Sequence, residues 1–295
     1  MSSTTVKDRV IDKLNGNVSL PAMPVTVSNL LRAIEDKDLG AKQISDIIEK
    51  DQSLTSRILK VANSPYYGFS RKVATIELAT VVMGLNAIKE IAVSYVVKEI
   101  LAKDLGRLSS KDFWNYSLFC ATTCRLLSRK MGYPKAGEAY VAGLLHDIGV
   151  AITARVFPNE QEKIFSRLEL GEESLLSIEK DILGLTHSEV GALVARKWML
   201  PENVCNAIEN HHSASPNDKF NSDEIEPLTA IVSLSEWFAI EAEQDNWKNS
   251  IIRDEYYLSG EILISSDEPD KRQKEFSKLR TEIENEYNRF SLTNI

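Results

Sequence analysis

Tyr140-Val-Ala-Gly-Leu-Leu-His-Asp-Ile-Gly-Val-Ala-Ile152 is apolar in eleven of its thirteen positions, and the two exceptions stand side by side at its centre, His146 and Asp147. A run this apolar belongs in a protein core. An ionised carboxylate costs several kcal/mol to bury there unless something compensates, and a cation is the strongest compensator. The simpler alternative is a His and an Asp that hydrogen-bond to neighbouring groups. A membrane span is not expected, because the full apolar stretch from Tyr140 to Phe157 carries His146, Asp147 and Arg155.

On either side of this run, apolar residues recur at spacings of three and four. Val25, Leu30, Leu31 and Ile34 form one stripe, Ile44, Ile47 and Ile48 a second, and Leu54, Ile58, Leu59 and Val61 a third. A longer stripe runs through Ile88, Ile91, Ala92, Tyr95, Val96 and Ile100. Further helices are predicted over Asp112–Met131, Ala136–Ala154, Glu160–Leu168, Glu173–Leu183, His187–Met199, Glu202–Asn210, Pro227–Ala242 and Lys271–Phe290. Gly (13) and Pro (9) are sparse and hairpin turn pairs are few, so the class is all-α. Asn15-Gly16 should stop the first helix, Pro21 and Pro24 should keep the next segment extended, and Pro201 suits a first helical position. The polar runs Ser213–Glu226 and Ser265–Asp270 read as loops. A break near Leu101–Ser110 divides the chain into an N-terminal helical subdomain, 1–105, and a second helical part with a C-terminal extension, 106–295.

Composition limits the function. With 43% hydrophobic and 26% charged residues the chain is an ordinary globular one. Its 43 Asp+Glu outnumber 35 Lys+Arg, which argues against nucleic acid as a partner, since neutralising phosphates needs surplus cations. Cys120, Cys124 and Cys205 make no disulfide framework and read as small buried hydrophobes. The polar start Met1-Ser-Ser-Thr-Thr-Val-Lys-Asp has no apolar signal core, so a cytoplasmic location and no membrane partner are expected. Trp114, Trp198, Trp237 and Trp247 read as core anchors, and Arg125, Arg129 and Lys130 as charges that suit a helix C-terminus. The C-terminal helix reads as solvated and amphipathic, or as a docking element.

All four histidines lie between positions 146 and 212. Thr186-x-x-Glu189 is a capping box, which makes Thr186 the N-cap and puts His187 at the head of a helix. A helix N-terminus disfavours imidazolium, and neutral imidazole is the form that binds metals. His211-His212 closes the helix that begins at Pro201; exposed surface histidines are the alternative there. Together, His-Asp, a helix-leading His and a His-His pair point to a metal centre for zinc, iron or manganese between helices.

At these residues the chain resembles the HD superfamily of metal-dependent phosphohydrolases, and within it the HDOD group, relatives of the HD-GYP cyclic-di-GMP phosphodiesterases. The resemblance rests on Leu20-Pro-Ala-Met-Pro, on Asp51 through the Asn63–Gly68 signature Asn-Ser-Pro-Tyr-Tyr-Gly, and on Val82-Met-Gly-Leu-Asn-Ala-Ile. It continues in Gly143-Leu-Leu-His-Asp-Ile-Gly and in Thr186-His-Ser-Glu-Val-Gly through His211-His212, and spans roughly Leu20 to Ala239. It implies an HD-like helical bundle preceded by a helical subdomain. It also implies one complete metal set, Asp147, His187, His211 and His212, and a second, depleted one. In that second set His146 and Asp147 are kept, Glu236 stands for the family's late Asp, and Tyr116 takes the place of its leading His. Val150 falls where the phosphodiesterases carry a Lys, and no Gly-Tyr-Pro follows His211-His212; Gly132-Tyr133-Pro134 is a turn between helices. The function so implied is a bacterial-type signalling module that contacts a protein partner or a nucleotide-like ligand and binds a divalent or ferric ion without turnover. The alternative is a working phosphodiesterase on a cyclic dinucleotide or related phosphoester.

Overall fold

A computed structural model of the chain describes residues 6–16, 23–35, 39–213, 226–241 and 269–293. Pro21, Ala242, Trp247 and most of the two polar loops lie outside them. Among the described residues there are helices and no strands: α1 (Val6–Asn15), α2 (Val25–Glu35), α3 (Ala41–Ile48), α4 (Gln52–Ala62), α5 (Ile76–Met83), α6 (Leu85–Leu101), α7 (Ser110–Lys130), α8 (Ala136–Leu145), α9 (Ile148–Val156), α10 (Pro158–Leu168), α11 (Leu175–Leu183), α12 (His187–Lys197), α13 (Glu202–Asn210), α14 (Pro227–Glu241) and α15 (Pro269–Ser291).

Three of these depart from what the apolar spacing predicts. Helix α5 is apolar at nearly every position, Ile-Glu-Leu-Ala-Thr-Val-Val-Met, so it shows no stripe. Its ends are nevertheless marked: the Thr75 hydroxyl accepts from Leu78 N–H, and Gly84 takes φ +83°. Pro269, expected in a loop, is the first residue of α15, where its missing N–H costs nothing. The single helix expected over Ala136–Ala154 is broken at His146-Asp147. Asp147 leaves helical geometry (φ −99°, ψ 8°) and stands before α9, with its carbonyl accepting from Val150 N–H at 2.9 Å. The break lets both side chains turn away from the α8 axis. The stretch Ala136–Val156 is long and apolar enough to cross a membrane by length and composition, but 94% of that window is buried inside the fold.

Helix α7 packs along α8 and α14, α12 packs on α9 and α13, and α15 lies on α7. One hydrophobic cluster runs through the molecule from Val10 to Phe290. All three cysteines are buried free thiols. Trp198 is buried, and Trp114 and Trp237 are half-buried.

Two close helix crossings set up the site, and both need glycine. A Cβ on Gly149 would stand 1.9 Å from the His187 carbonyl oxygen, so α9 and the start of α12 meet only because there is none. A Cβ on Gly143 would lie 2.6 Å from Cys124 Sγ, which fixes α8 against α7 in the same way.

Arg125 is corrected outright. It is a buried centre of charge rather than one that merely suits the helix C-terminus: its Nη1 donates to Glu90 at 2.6 Å and its Nη2 to Glu286 at 2.9 Å and to the Tyr66 hydroxyl at 3.0 Å. Its guanidinium also lies 4.7 Å from the Phe290 ring centre. Burial opposes the Arg125 charge, but Glu90, the two tyrosines and Glu286 outweigh it and hold the guanidinium ionised. Glu286 and Phe290 belong to α15, so the C-terminal helix docks on the bundle. Phe276 of α15 adds a stacked contact with Phe238 on α14.

Candidate metal centre

Every predicted site residue reaches one pocket. His146 and Asp147 come from the α8–α9 break, His187 from the head of α12, His211 and His212 from the end of α13, and Glu236 from α14. The capping box forms as expected: Glu189 N–H donates to the Thr186 hydroxyl at 3.2 Å, and Thr186 N–H donates to the Glu189 carboxylate at 2.7 Å. That anchors the first turn of α12 and holds His187 at its tip. His146, Asp147, His187, His211 and Glu236 are all buried, so exposed surface histidines are ruled out for His211; His212 is half-buried.

The three buried imidazoles share one arrangement. His146 Nδ1 donates to the Gly143 carbonyl at 2.8 Å, and His211 Nδ1 to the Ile208 carbonyl at 2.7 Å. His187 Nδ1 donates to the Glu179 carboxylate at 2.9 Å. A ring whose Nδ1 carries the donated proton presents a lone pair at Nε2 in its neutral form. In all three rings that Nε2 faces the carboxylates. His146 Nε2 is 3.2 Å from Asp147 Oδ2 and 3.4 Å from Glu236 Oε1. His187 Nε2 is 3.2 Å from Asp147 Oδ1, and His211 Nε2 is 3.6 Å from the same oxygen. His212 Nε2 closes the ring, 3.0 Å from His187 Nε2.

Such convergence sets acceptor against acceptor unless a proton or a cation lies between. Burial pulls the His146 and His187 imidazoles down, but the surrounding carboxylates more than reverse it. Asp147 and Glu236 raise His146 to about 9, and Glu179 and Asp147 raise His187 to about 10. His211 goes the other way, lowered chiefly by its burial. It stays neutral, and its buried Nε2 has no hydrogen-bond partner among the described residues. A neutral nitrogen aimed at a carboxylate oxygen, with nothing to accept from, fits a metal ion.

The ligand atoms divide into two groups, each within 4.8 Å: Asp147, His187, His211 and His212, and His146, Asp147 and Glu236. Zinc, manganese and iron all suit an imidazole–carboxylate set of the first kind. Beside the second group lies Tyr116, fully buried, whose hydroxyl donates to Glu236 Oε1 at 3.0 Å and stands 3.4 Å from His146 Nε2. Val150, buried, is on the first turn of α9.

Glu179 is the site residue that sequence reasoning missed. It is buried on α11, and its Oε2 accepts from both the backbone N–H and the Nδ1 of His187. A carboxylate on the far nitrogen orients a ligating imidazole and raises its basicity. A Glu flanked by Ile178 and, further on, Ile182 and Leu183 of an apolar helix is the signal that could have found it.

The described residues form an all-helical bundle around a buried His/Asp cluster. The HDOD domain family matches residues 20–214, and the chain belongs to it. An uncharacterized protein of Treponema pallidum is 26% identical over 238 residues, which cover 79% of this chain and 43% of that protein. The YuxH protein of Bacillus subtilis is 28% identical over 144 residues, 49% of this chain and 34% of its own length. The chain thus spans less than half the length of the curated relatives it matches. Among solved structures, an HDOD domain protein of Geobacter sulfurreducens overlays with a TM-score of 0.65 at 21% identity, covering 94% of this chain and 96% of that one. A candidate phosphohydrolase of Shewanella amazonensis overlays with a TM-score of 0.70 at 18% identity, covering 99% and 97%. At these identities the likeness is one of fold.

Proposed function

We propose that this HDOD protein is a regulatory module that holds one metal ion through Asp147, His187, His211 and His212 and acts by binding a signalling partner, without turnover. The observation that supports this most is the Tyr116–Glu236 hydrogen bond. Two-metal phosphoester hydrolysis needs both ions to hold the attacking and leaving oxygens. Here the second group has three protein ligands, and one of its carboxylate oxygens is engaged by a phenol. A neutral tyrosine is a poor ligand for most divalent ions. The buried aliphatic side chain of Val150 offers no cation for a transferring phosphoryl group.

The bound ion, as a Lewis acid, would polarise a coordinated oxygen and balance the buried carboxylates. This chain's own residues do the rest. Glu179 holds the His187 ring in place, Tyr116 keeps Glu236 turned toward His146, and the backbone carbonyls of Gly143 and Ile208 fix the tautomers of His146 and His211. The result is a rigid, charge-balanced core on which the surrounding helix faces are presented. Division of labour between residues 1–105 and 106–295, with partner contact on one and metal on the other, is part of the same proposal.

Incubation with cyclic-di-GMP and generic phosphodiesters under manganese or iron tests it. Rates equal to those of Asp147→Ala are expected. Metal-dependent hydrolysis that Asp147→Ala abolishes would overturn the reading in favour of a phosphodiesterase.

A further inference from the structure

Away from the metal centre, α4 presents two faces. Leu54, Ile58 and Val61 are buried in the core, while Ser53, Ser56, Arg57 and Lys60 fall together on the opposite face. Opposite them runs the segment 72–74. The Asn63 side chain pins it there as a neighbouring strand would: its Nδ2 donates to the Val73 carbonyl at 2.8 Å and its Oδ1 accepts from Val73 N–H at 2.9 Å. The result is a cleft of about 670 Å³ walled by α4 and Lys72-Val73-Ala74. It continues, through the shared residues Ser56 and Lys60, into a second hollow of about 380 Å³ beside Arg57.

The charge here runs against that of the whole chain. Lys60 and Lys72 line the cleft, Arg57 lines the adjoining hollow, and Lys98 of α6 lies near them, close enough for its ammonium to be pushed below the ordinary range, first by burial and then by Arg57 and Lys60. None of these four cations is in an ion pair among the described residues. Arg57 and Lys98 rest on aromatic rings, 5.4 Å from the Tyr95 centre and 4.7 Å from the Trp114 centre. The Nη1 of Arg57 is shielded from water and makes no hydrogen bond among the described residues. Elsewhere, Arg107, Arg167, Arg196 and Arg280 each reach a carboxylate. In a chain with eight more acidic than basic residues, four cations gathered without a carboxylate partner make this cleft locally positive. Asp51 and Glu99 stand near Tyr95, but the Asp51 carboxylate caps α4 through Leu54 N–H.

We propose that the cleft between α4 and the 72–74 segment, with the hollow that continues it, binds a phosphate-bearing small molecule, gripped by Arg57, Lys60 and Lys72 with Ser56 as a neutral donor; the Ser53 hydroxyl is taken up by Tyr95. A guanidinium with an uncommitted N–H edge and flanking ammoniums and a hydroxyl is the donor set that phosphate oxygens take. A cleft of this volume has room for more than one phosphoryl group. The site is independent of the metal centre, with which it shares no residue.

The test is calorimetric titration of the full chain, treated with chelator so that phosphate cannot be read through a metal, with inorganic phosphate, pyrophosphate and ADP. Saturable binding is expected for pyrophosphate, tighter than for phosphate and weakened by salt. It should fall roughly tenfold or more in Arg57→Ala and in Lys60→Gln. Tighter binding of ADP than of pyrophosphate would add a nucleoside to the ligand. If Arg57→Ala fails to fold, Lys60→Gln and Lys72→Gln, both at exposed positions, give the same readout. No saturable binding of any of the three probes, or binding unchanged in those variants, would overturn the proposal.

Discussion

The Tyr116 hydroxyl donates to Glu236 Oε1 at 3.0 Å in the fully buried heart of the pocket, joining α7 to α14 at the point where the second metal group would close. A phenol there engages the carboxylate that an ion would otherwise use, and it leaves His146 with one imidazole fewer beside it.

Restoring that imidazole should restore the ligand set. Tyr116→His is expected to raise the metal content of the purified protein above that of the parent. Elemental analysis of both, loaded with manganese or iron, checks this. Equal content in the two would show that the site is depleted for another reason.

Glu179 would act on a bound metal through His187, whose Nδ1 it accepts from. Glu179→Gln keeps the shape but withdraws the charge that holds the ring and makes it basic, so affinity should fall about 10–100-fold. The fold should survive, because the Gln carbonyl can still accept from His187 N–H. A competition titration with a chromophoric chelator measures the change, and an unaltered affinity would remove Glu179 from the site.

Protons and metal compete for the same nitrogens. In the metal-free protein, His146 and His187 are raised from 6.5 to about 9 and about 10. Their protonated forms therefore stabilise the fold fully below pH 6.5, and that contribution disappears as pH rises through 9 to 10. His211, lowered by burial, has the opposite sign and withdraws stability as pH falls below its unfolded value. Metal binding must displace the protons on His146 and His187, so the gain in Tm on adding metal should grow as pH rises from about 6 to about 9. Thermal melts with chelator and with metal across that range test it. A metal-induced shift that shrinks with rising pH would contradict the assignment.

Gly149 sets the distance between α9 and His187. With 1.9 Å to the His187 carbonyl oxygen, the added methyl of Gly149→Ala forces the helices apart. The expected cost is about 3 kcal/mol or more, with loss of metal from whatever protein still folds. Denaturant unfolding and metal analysis read the two effects, and a variant with native stability and full metal content would contradict the crossing.

The buried Arg125–Glu90–Glu286 group should behave as a locked charge network. Arg125→Ala strands two carboxylates and is expected to cost about 3–5 kcal/mol, whereas Arg125→Met, which keeps the packing on Phe290, should cost less if Glu90→Gln accompanies it. Unfolding in guanidinium chloride separates these. A loss under about 1 kcal/mol for Arg125→Ala would show that the pair is screened.

Much of this was legible in the chain itself. Stripes at three and four mark most helices because those helices are half-covered, and His146-Asp147 stands out because an Asp inside an apolar run needs a partner, whereas Glu236 and Tyr116 enter only through the resemblance to the HD superfamily. What escaped notice has a weak local signal or none. Helix α5 is apolar all round, so periodicity fails on it. The break at Asp147 has no proline to announce it. Glu179 and Arg125 look like ordinary helix charges, and only the fold shows that their partners come from helices eight to more than a hundred positions away. The close approach at Gly149 is likewise invisible without its neighbour, His187.

The most direct test of the metal centre is elemental analysis of the chain as purified, beside His187→Ala and His211→Ala. The account predicts close to one transition-metal ion per chain in the parent, lost in both variants together with the thermal stabilisation that the ion confers. A parent that carries no metal, takes none up on addition of zinc, manganese or iron, and melts at the same temperature as the two variants would contradict it.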